Sequence, residues 1–430
     1  MHSITKQQTI KSHVPTSISD YFPEGTQYFY SYPTGEDSNF LNKVPPTTDE
    51  LVAARTLSCA GPDVSVVSFA STAAPQLNGD LIDMLAIPQV APKLLTVLPK
   101  SIDIHLRGKA RNEAIMAALA ESVAPGSLVM AQPFTDKKIQ DLYQISPDVT
   151  VWLNDKVNMI EYIDAALMPT RFGTYTSGSD FAADSAIASR SDLLPCVVKV
   201  SSSSAGDGVY ICHSIDDFKK AQSDTASLIG TIYVEQFITP VKNYAIHFGI
   251  SHDKAKPIDI IGYNEQLTTN DGEFLGGIIS GDAFPSELAA VKQHLENDIL
   301  PIVRAKGWYG VGGFDVIIDA RGGAYLIDGN YRMTGMSAYH FLLASGDIQT
   351  PLISFGGQFV GTREEFEHAI LPFAGKSARQ KSVQLIALSK HGDEWDFNGA
   401  LMYENENTLK NSIHQLLNAG ITSPALEQFL

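Results

Sequence analysis

The stretch from residue 311 to residue 332, which reads VGGFDVIIDARGGAYLIDGNYR, constrains the fold more than any other part of the chain. Apolar residues alternate in its first half and RGG then supplies residues that tolerate a tight turn, so the stretch predicts an antiparallel hairpin. Asp315 and Asp328 would lie side by side on one face of the hairpin, with Asn330 facing the same way. Two carboxylates and an amide suit Mg²⁺, which reserves its other positions for water and phosphates. The alternative is a surface hairpin whose acids face water.

Composition sets the class of protein. A chain of 430 residues with 44% hydrophobic and 18% charged residues is globular and long enough for two to four domains. Its 48 acidic and 31 basic residues give a net charge of −17, which disfavours a nucleic-acid partner. Neither a signal peptide nor a membrane span of roughly 18 apolar residues is visible, so we expect a cytoplasmic protein that does not bind membranes. The 3 cysteines form no CxxC pair and are interpreted as reduced core thiols.

The first part of the chain reads as an open, mostly parallel α/β sheet. The first 60 or so residues carry no usable motif, although residues 27–32 (QYFYSY) resemble a strand. Further strands are predicted at residues 64–70, 102–106, 127–132 and 149–154, with helices at 111–122 and 137–143. No GxGxxG follows any of these strands, so a dinucleotide is not indicated.

The rest of the chain is predicted to mix antiparallel strands and helices. A helix is expected at 155–167, strands at 194–200, 232–238 and 244–250, and one long amphipathic helix at 286–307 before the hairpin. The tail shows helices at 359–370 and 407–420 and strands at 383–389 and 397–403. His247 and His340 are interpreted as structural histidines, with contact to substrate as the alternative.

A lysine followed by a Ser/Gly-rich loop occurs in VVKVSSSSAGDGVYI. Lys199 lies on a buried-looking strand immediately before the loop, and glycines with short hydroxyl side chains let backbone N–H groups approach an anion closely. The residues of interest in the loop are Ser201, Ser202, Ser203, Ser204, Gly206 and Gly208. Because the lysine precedes the loop, the pattern is not GxxxxGK[ST]. It indicates either a loop that covers phosphates or a plain hairpin connection.

The order of these features resembles the ATP-grasp superfamily over roughly residues 150 to 340. Lys156 in NDK at a helix start comes first, followed by Lys199 with its loop and by the strand YVEQFI. The hairpin acids and Asn330 come next, and Arg332 then adds a permanently charged fork.

The resemblance implies that two lobes hold ATP between them. Lys156 and Lys199 would contact its phosphates under a mobile lid formed by Ser201 to Gly208, and Arg332 would steady the transferred phosphoryl group. The residues implied to present backbone groups to adenine are Glu235, Gln236, Phe237 and Ile238. Those implied to hold two Mg²⁺, with Mn²⁺ as an alternative ion, are Asp315, Asp328 and Asn330.

The chain departs from the family pattern at three positions. The second acid is Asp328, where Glu is common, and the residue after the asparagine is Tyr331, where Pro is common. The carboxylate that usually takes the ribose hydroxyls has no match, because Lys242 and Asn243 stand there.

The implied layout has three parts. These are an N-terminal α/β domain (1–150), an ATP-grasp domain with a two-lobed core (151–345) and a small C-terminal α+β lobe (346–430). The layout resembles peptide ligases of natural-product biosynthesis and implies an ATP-dependent carboxylate–amine ligase acting on small molecules, an acid and an amine such as an amino acid or peptide. The alternatives are an ATP-grasp kinase and a catalytically silent nucleotide-binding protein. A homodimer is left open.

Overall fold

The computed structural model describes residues 14–30, 46–69, 96–98, 108–201, 208–269, 272–374 and 382–430. The predicted strand at 102–106 lies outside these residues, as do Ser202, Ser203, Ser204 and Gly206 of the predicted lid.

The N-terminal region contains the parallel sheet that its sequence predicts. Its elements are β1 (Thr26–Phe29), α1 (Pro46–Leu57), β2 (Val64–Phe69), β3 (Thr96–Leu98), α2 (Gly108–Ser122) and β4 (Leu128–Met130). The strand order is β3-β2-β1-β4 and every pair is parallel. Residues 27–29 of the strand-like run QYFYSY lie in β1, an inner strand between β2 and β4, and Tyr28 and Phe29 are buried on its two faces.

The strand predicted at residues 149–154 is wrong, because this segment is helix α3 (Pro147–Asn154). The V-T-V-W alternation suggested a strand, but Pro147 stands in the first helical turn, where its fixed φ favours a helix. Thr150 and Leu153 are both buried, and a helix places residues three apart on one face.

The helix predicted at 155–167 is also wrong as one element, since the segment forms two 3₁₀ turns, Lys156–Glu161 and Ala165–Leu167. The Asp155 carboxylate accepts from Val157 N–H and the Asp164 carboxylate from Ala166 N–H, so each acid starts a separate turn.

A small antiparallel sheet follows. The elements of this region are β5 (Arg171–Tyr175), α4 (Gly178–Ala183), α5 (Ser185–Ala188), β6 (Cys196–Val200), β7 (Val209–Cys212), α6 (Ile215–Thr225) and β8 (Ile232–Gln236). The strand order is β5-β8-β6-β7. Helix α6 begins with a capping box between Ser214 and Asp217 and buries Phe218 against the sheet.

The remaining strands form one large antiparallel sheet. Its first elements are β9 (Lys242–Ile250), β10 (Ile258–Thr268), β11 (Phe274–Ile279), α7 (Ala289–His294), α8 (Leu300–Ala305), β12 (Gly310–Ile318) and β13 (Ala324–Asn330). The later ones are α9 (Ser337–Ser345), β14 (Leu352–Val360), α10 (Arg363–Ile370), β15 (Val383–His391), β16 (Glu394–Met402), α11 (Glu406–Asn418) and α12 (Pro424–Glu427). The order of the 8 strands is β13-β12-β9-β10-β11-β14-β16-β15. The last three strands of the chain therefore extend the sheet that contains the hairpin.

Two predicted helices differ in detail. The helix expected over 286–307 consists of α7, a π turn (Leu295–Ile299) and α8. Pro301 has no N–H for the regular helical ladder, which accounts for the wider turn just before it. The helix expected at 359–370 begins only at Arg363, because Phe359 and Val360 belong to β14 and Thr362 caps the helix.

The two ends of the chain meet on the large sheet. Helix α1 packs against β15 and β16, and Tyr21 lies against Gly249 of β9, where an added Cβ would meet the Tyr21 ring at 2.1 Å. The main hydrophobic core accordingly joins residues of the first 30 positions to residues of β9 and β12. The domain boundaries near residues 150 and 345 stay a prediction.

Candidate active site

A cavity of about 500 Å³ lies between the small sheet, the hairpin and the N-terminal region. Among its lining residues are nearly all of the described candidates from the sequence, namely Lys156, Lys199, Glu235, Gln236, Phe237, Ile238, Asp315, Asp328, Asn330 and Arg332. Side chains that are far apart in the sequence thus face one space that can hold a ligand.

The hairpin has the predicted register. Asp315 on β12 pairs directly with Asp328 on β13, and Gly313 pairs with Asn330. Asp319 holds the turn by accepting from the N–H groups of Arg321 and Gly323. The two carboxylates therefore share one face of the sheet, as the alternation of side chains requires.

Asp315 is a carboxyl group without a cationic side chain bonded to it among the described residues. Burial, together with the neighbouring charge of Asp328, raises its pKa to about 7, while Gln266 Nε2 donates to Asp315 Oδ1 at 2.8 Å and acts in the opposite direction. A cation between the carboxylates would offset the free-energy cost of keeping both of them charged in this buried position. Within the described ranges no group of three His, Cys, Asp or Glu side chains could hold a metal. The two acids and Asn330 instead fit Mg²⁺, which completes its shell with phosphate and water.

Lys156 is held next to the second acid. Its Nζ lies 3.5 Å from Asp328 Oδ2, and its side chain is only 8% exposed. Burial lowers the pKa of Lys156, with the nearby charge of Asp328 opposing that shift. This lysine therefore carries a poorly hydrated charge close to the candidate cation site.

Ser201 and Gly208, the two described ends of the predicted lid, both have structural roles. Ser201 is buried, its Oγ donates to Asp155, and it accepts from Val157 N–H at 2.9 Å. Gly208 has φ of +71°, and its carbonyl accepts from Val200 N–H at 2.8 Å. The loop thus starts and ends on the β6–β7 hairpin, and Ser201 also fastens the turn that carries Lys156.

Lys199 is paired with an acid that the sequence analysis assigned to a different role. Its Nζ lies 2.5 Å from Glu235 Oε1 and donates to the carbonyl of Ile327 at 3.1 Å. Val197 pairs with Glu235 across β6 and β8, so Lys199 and Glu235 are diagonal neighbours on one face. A lysine in an apolar strand needs such an acid, and this requirement was the signal that could have identified Glu235.

Arg332 is oriented by Asn154, which sequence reasoning missed. Asn154 Oδ1 accepts from Arg332 Nη1 at 2.9 Å and from Tyr331 N–H at 3.1 Å. Asn154 is the last residue of α3, the segment predicted as a strand. The contact was missed because the segment was predicted as a strand, whereas it is the end of a helix that brings Asn154 to the hairpin.

Comparisons with known proteins agree with this geometry. Residues 182–330 match a family model described as L-aspartate–L-methionine ligase, ATP grasp. The structure is similar to carboxyaminoimidazole ribonucleotide synthase from Aspergillus clavatus complexed with ATP, at 12% identity over 94% of this chain and 100% of that chain (TM-score 0.54). It is also similar to the biotin carboxylase β,γ-ATP complex from Campylobacter jejuni, at 14% identity over 94% of both chains (TM-score 0.54). Residues 182–330 are thus similar to an ATP-grasp domain, and the two structures show the same fold as this chain. The enzyme class that the match indicates is an ATP-dependent ligase that forms C–N bonds.

Two backbone N–H groups at the end of β8 already bond to other parts of the protein. Gln236 N–H donates to the carbonyl of Thr170 at 2.8 Å, and Phe237 N–H donates to that of Pro195 at 3.4 Å. The predicted backbone contacts with adenine therefore fall to the other groups of the segment from Glu235 to Ile238.

Lys242 and Asn243 stand where the ATP-grasp pattern usually has the acid that binds the ribose. Lys242 Nζ lies 3.0 Å from Glu287 Oε1 in an exposed ion pair and does not line the cavity. Asn243 does line it, and its buried Oδ1 has no partner among the described residues. Asn243 is thus the better placed of the two to meet a hydroxyl group.

His247 and His340 lie behind the cleft. His247 Nε2 is 2.7 Å from Asn264 Oδ1, and the two imidazole rings are 4.5 Å apart. Burial lowers the pKa of His247 to about 4 and lowers that of His340 well below its usual value. Neither histidine lines the cavity, which supports their interpretation as structural residues.

No helix in the described part of the chain combines the length and apolar character needed to cross a bilayer.

Proposed function

We propose that this protein is an ATP-dependent carboxylate–amine ligase that forms an amide or peptide bond through an acylphosphate. One observation carries the proposal. The acids of the hairpin, Lys156, Lys199 and Arg332 all line one cavity of about 500 Å³, which is large enough for a nucleotide and small substrates.

Phosphoryl transfer requires positive charge around reacting oxygens that repel each other. A carboxylate oxygen of the acid attacks the γ-phosphorus of ATP, and the bond to the bridging oxygen breaks so that ADP leaves with the electron pair. Lys156 and Lys199 offset the negative charge of the phosphates, while the fork of Arg332, oriented by Asn154, binds the group in transfer. The product of this step is an acylphosphate.

The second step forms the C–N bond. The amine attacks the carbonyl carbon and loses a proton, and the C–O bond to phosphate breaks as inorganic phosphate leaves. Exclusion of water protects the acylphosphate until the amine arrives. The loop between β6 and β7 is our candidate for that covering element.

Asp315, Asp328 and Asn330 would hold Mg²⁺, as two ions, with Mn²⁺ as an alternative. The metal supplies charge neutralisation between the carboxylates and the phosphates. The raised pKa of Asp315 supports this assignment, because a buried carboxylate pair fits a site built for a cation.

Amino acids are the proposed substrates. The matched family model describes a ligase of L-aspartate and L-methionine, so these two compounds head the panel of acids and amines to test. A role in natural-product assembly belongs to the same proposal. A cytoplasmic location is part of the same proposal.

The test measures ADP, phosphate and amide together over a panel of amino acids. We expect one ADP and one phosphate for each amide, with little release from the acid alone. Hydroxylamine in place of the amine should trap the activated acid as a hydroxamate. The Asp328→Asn variant is the control, because any hydroxamate that does not depend on the site would persist in it.

A kinase would give ADP, no free phosphate and a stable phosphorylated product. A silent nucleotide-binding protein would bind ATP and release neither product. A stoichiometric phosphorylated metabolite without hydroxamate from any acid would exclude the ligase.

A further inference from the structure

One cationic side chain that lines the cavity lies outside the set that we assign to ATP and metal. Arg55 lies in the last turn of α1 and lines the cavity together with Tyr30, which follows the carboxyl end of β1. Both residues belong to the N-terminal region, whereas the candidate ATP and metal residues come from residues 156 to 332. Arg55 therefore reaches the cavity from an independent part of the fold.

The charge pairing in the cavity singles out this arginine. Lys156 pairs with Asp328 and Lys199 with Glu235, while Arg332 is bonded to Asn154. The guanidinium of Arg55 makes no hydrogen bond or ion pair with any residue that the structure describes. An arginine that faces a ligand cavity without a protein carboxylate is suited to a carboxylate of the ligand, which its planar fork can bind through two parallel hydrogen bonds.

A carboxylate held by the fork of Arg55 through both oxygens is not free to attack ATP, so it must differ from the one that reacts. The reacting oxygen must approach the γ-phosphate near Asp315, Asp328 and Arg332, where the proposed transfer takes place. A free amino acid that supplies the amine carries an α-carboxylate two bonds from its nitrogen. Fixing that carboxylate restricts where the nitrogen can lie and so directs it towards the acylphosphate.

Part of the cavity wall is apolar. Phe274, Met333 and Met336 line the cavity, and Gly335 packs so closely on Phe274 that an added Cβ would meet the ring at 2.7 Å. Such a surface suits an aliphatic or thioether side chain of a substrate.

We propose that Arg55 binds the α-carboxylate of the amine substrate and thereby selects free amino acids over amines that lack this group. The inference rests on the proposed ligase function and assigns to it a specificity residue outside the ATP site.

The test compares an amino acid with its α-amide as the amine substrate, in the wild type and in Arg55→Gln and Arg55→Lys. In Arg55→Gln we expect the KM for the free amino acid to rise roughly 10- to 100-fold, the range of a lost charge-assisted contact. The KM values for ATP and for the amide should stay close to the wild type. The KM of Arg55→Lys for the free amino acid should lie between those of the wild type and Arg55→Gln, because lysine keeps the charge but lacks the planar fork.

Equal KM values for the free amino acid in the wild type and Arg55→Gln would overturn the inference. The inference would also be overturned if Arg55→Gln raised the KM only for acid substrates that carry a second carboxylate and left the KM for the amine substrate unchanged. If the wild type forms no amide at all, the proposed function itself fails, and this outcome is distinct from the first two.

Binding supplies a readout that does not depend on turnover. Calorimetric titration of the amino acid and of its amide into protein with Mg²⁺ and ADP should show a preference for the free acid that disappears in Arg55→Gln. The melting temperature of each variant checks that α1 remains folded. Unchanged preference in a folded variant contradicts the assignment.

Discussion

The two facing carboxylates of the hairpin are held by different neighbours. Asp328 lies beside the ammonium of Lys156, whereas Asp315 has the neutral amide of Gln266, and its pKa is raised to about 7. Their sequence contexts are similar, so the difference arises from side chains that come from elsewhere in the chain.

Replacing either acid should abolish turnover, but the two variants should differ in stability. Asp315→Asn and Asp328→Asn should each reduce ADP formation by several orders of magnitude, because both remove a ligand of the cation. Asp328→Asn should also destabilise the protein, since it removes the negative charge that offsets the burial of the Lys156 ammonium. Asp315→Asn should not, since burial already disfavours its charge. Urea unfolding checks the stabilities, and equal losses in both variants would contradict this account.

The buried histidine pair should make the fold sensitive to acid. The pKa of His247 is about 4 in the folded protein against 6.5 ordinarily, so the unfolded chain binds more protons between these values. Stability should therefore fall as the pH drops below 6.5, by at most about 1.4 kcal/mol per pH unit for each histidine.

The matched variant is His340→Phe. The Nε2 atom of His340 has no partner among the described residues, so the replacement removes a titrating group without breaking a bond at that atom. Between pH 7.5 and pH 5.0 the free energy of unfolding, measured with urea, should fall less in the variant than in the wild type. An identical loss would mean that His340 does not contribute.

At the scale of elements, the end of α3 positions Arg332, which we propose binds the group in transfer. Asn154 joins α3 to the hairpin by accepting from Tyr331 and Arg332. Asn154→Ala should lower kcat by about 10- to 100-fold with little change in the KM for ATP, because the arginine loses its orientation rather than its charge. The control is Asn158→Ala, whose side chain bonds only to the carbonyl of Trp152 among the contacts described for it. Equal kcat values in the two variants would refute the positioning role.

The hairpin was predictable from its sequence, whereas its supporting contacts were not. Period-two alternation and a Gly-containing turn are local signals, and they place Asp315 opposite Asp328 without knowledge of the rest of the fold. Glu235, Asn154 and Gln266 reach the site through pairing between distant strands and through a helix end. Local pattern carries no information about such contacts, and in α3 it indicated the wrong element.

At the scale of the whole molecule, the large sheet joins segments that the sequence suggested were separate. The tail strands β14, β16 and β15 continue the sheet of the hairpin, and α1 packs on two of them. Hydrophobic periodicity predicted most of these strands one by one. It could not show that they belong to one sheet, because the strand order depends on which edges pair after collapse.

The contact between Tyr21 and β9 should be essential for this joining. Gly249→Ala places a Cβ 2.1 Å from the Tyr21 ring and should cost about 1 to 3 kcal/mol of unfolding free energy by overpacking. Gly356→Ala on β14 is the matched control, because its Cβ would meet only Asn398, at 3.9 Å. Denaturant unfolding measures both, and similar values for the two variants would show that the contact relaxes without cost.

Because α1 packs on the tail strands, the proposed amine contact and the proposed ATP site are supported by different parts of the fold. The proposed ATP and metal residues lie in or next to the hairpin, in the small sheet and in the turn that carries Lys156, while Arg55 is carried by a helix that packs on β15 and β16. If Arg55 binds the amine substrate as proposed, replacements between this helix and the two strands should change which amines are accepted without altering a proposed phosphate or metal ligand. A library confined to the contact between α1 and the last two strands of the sheet is therefore the place to search for ligases with new amine partners.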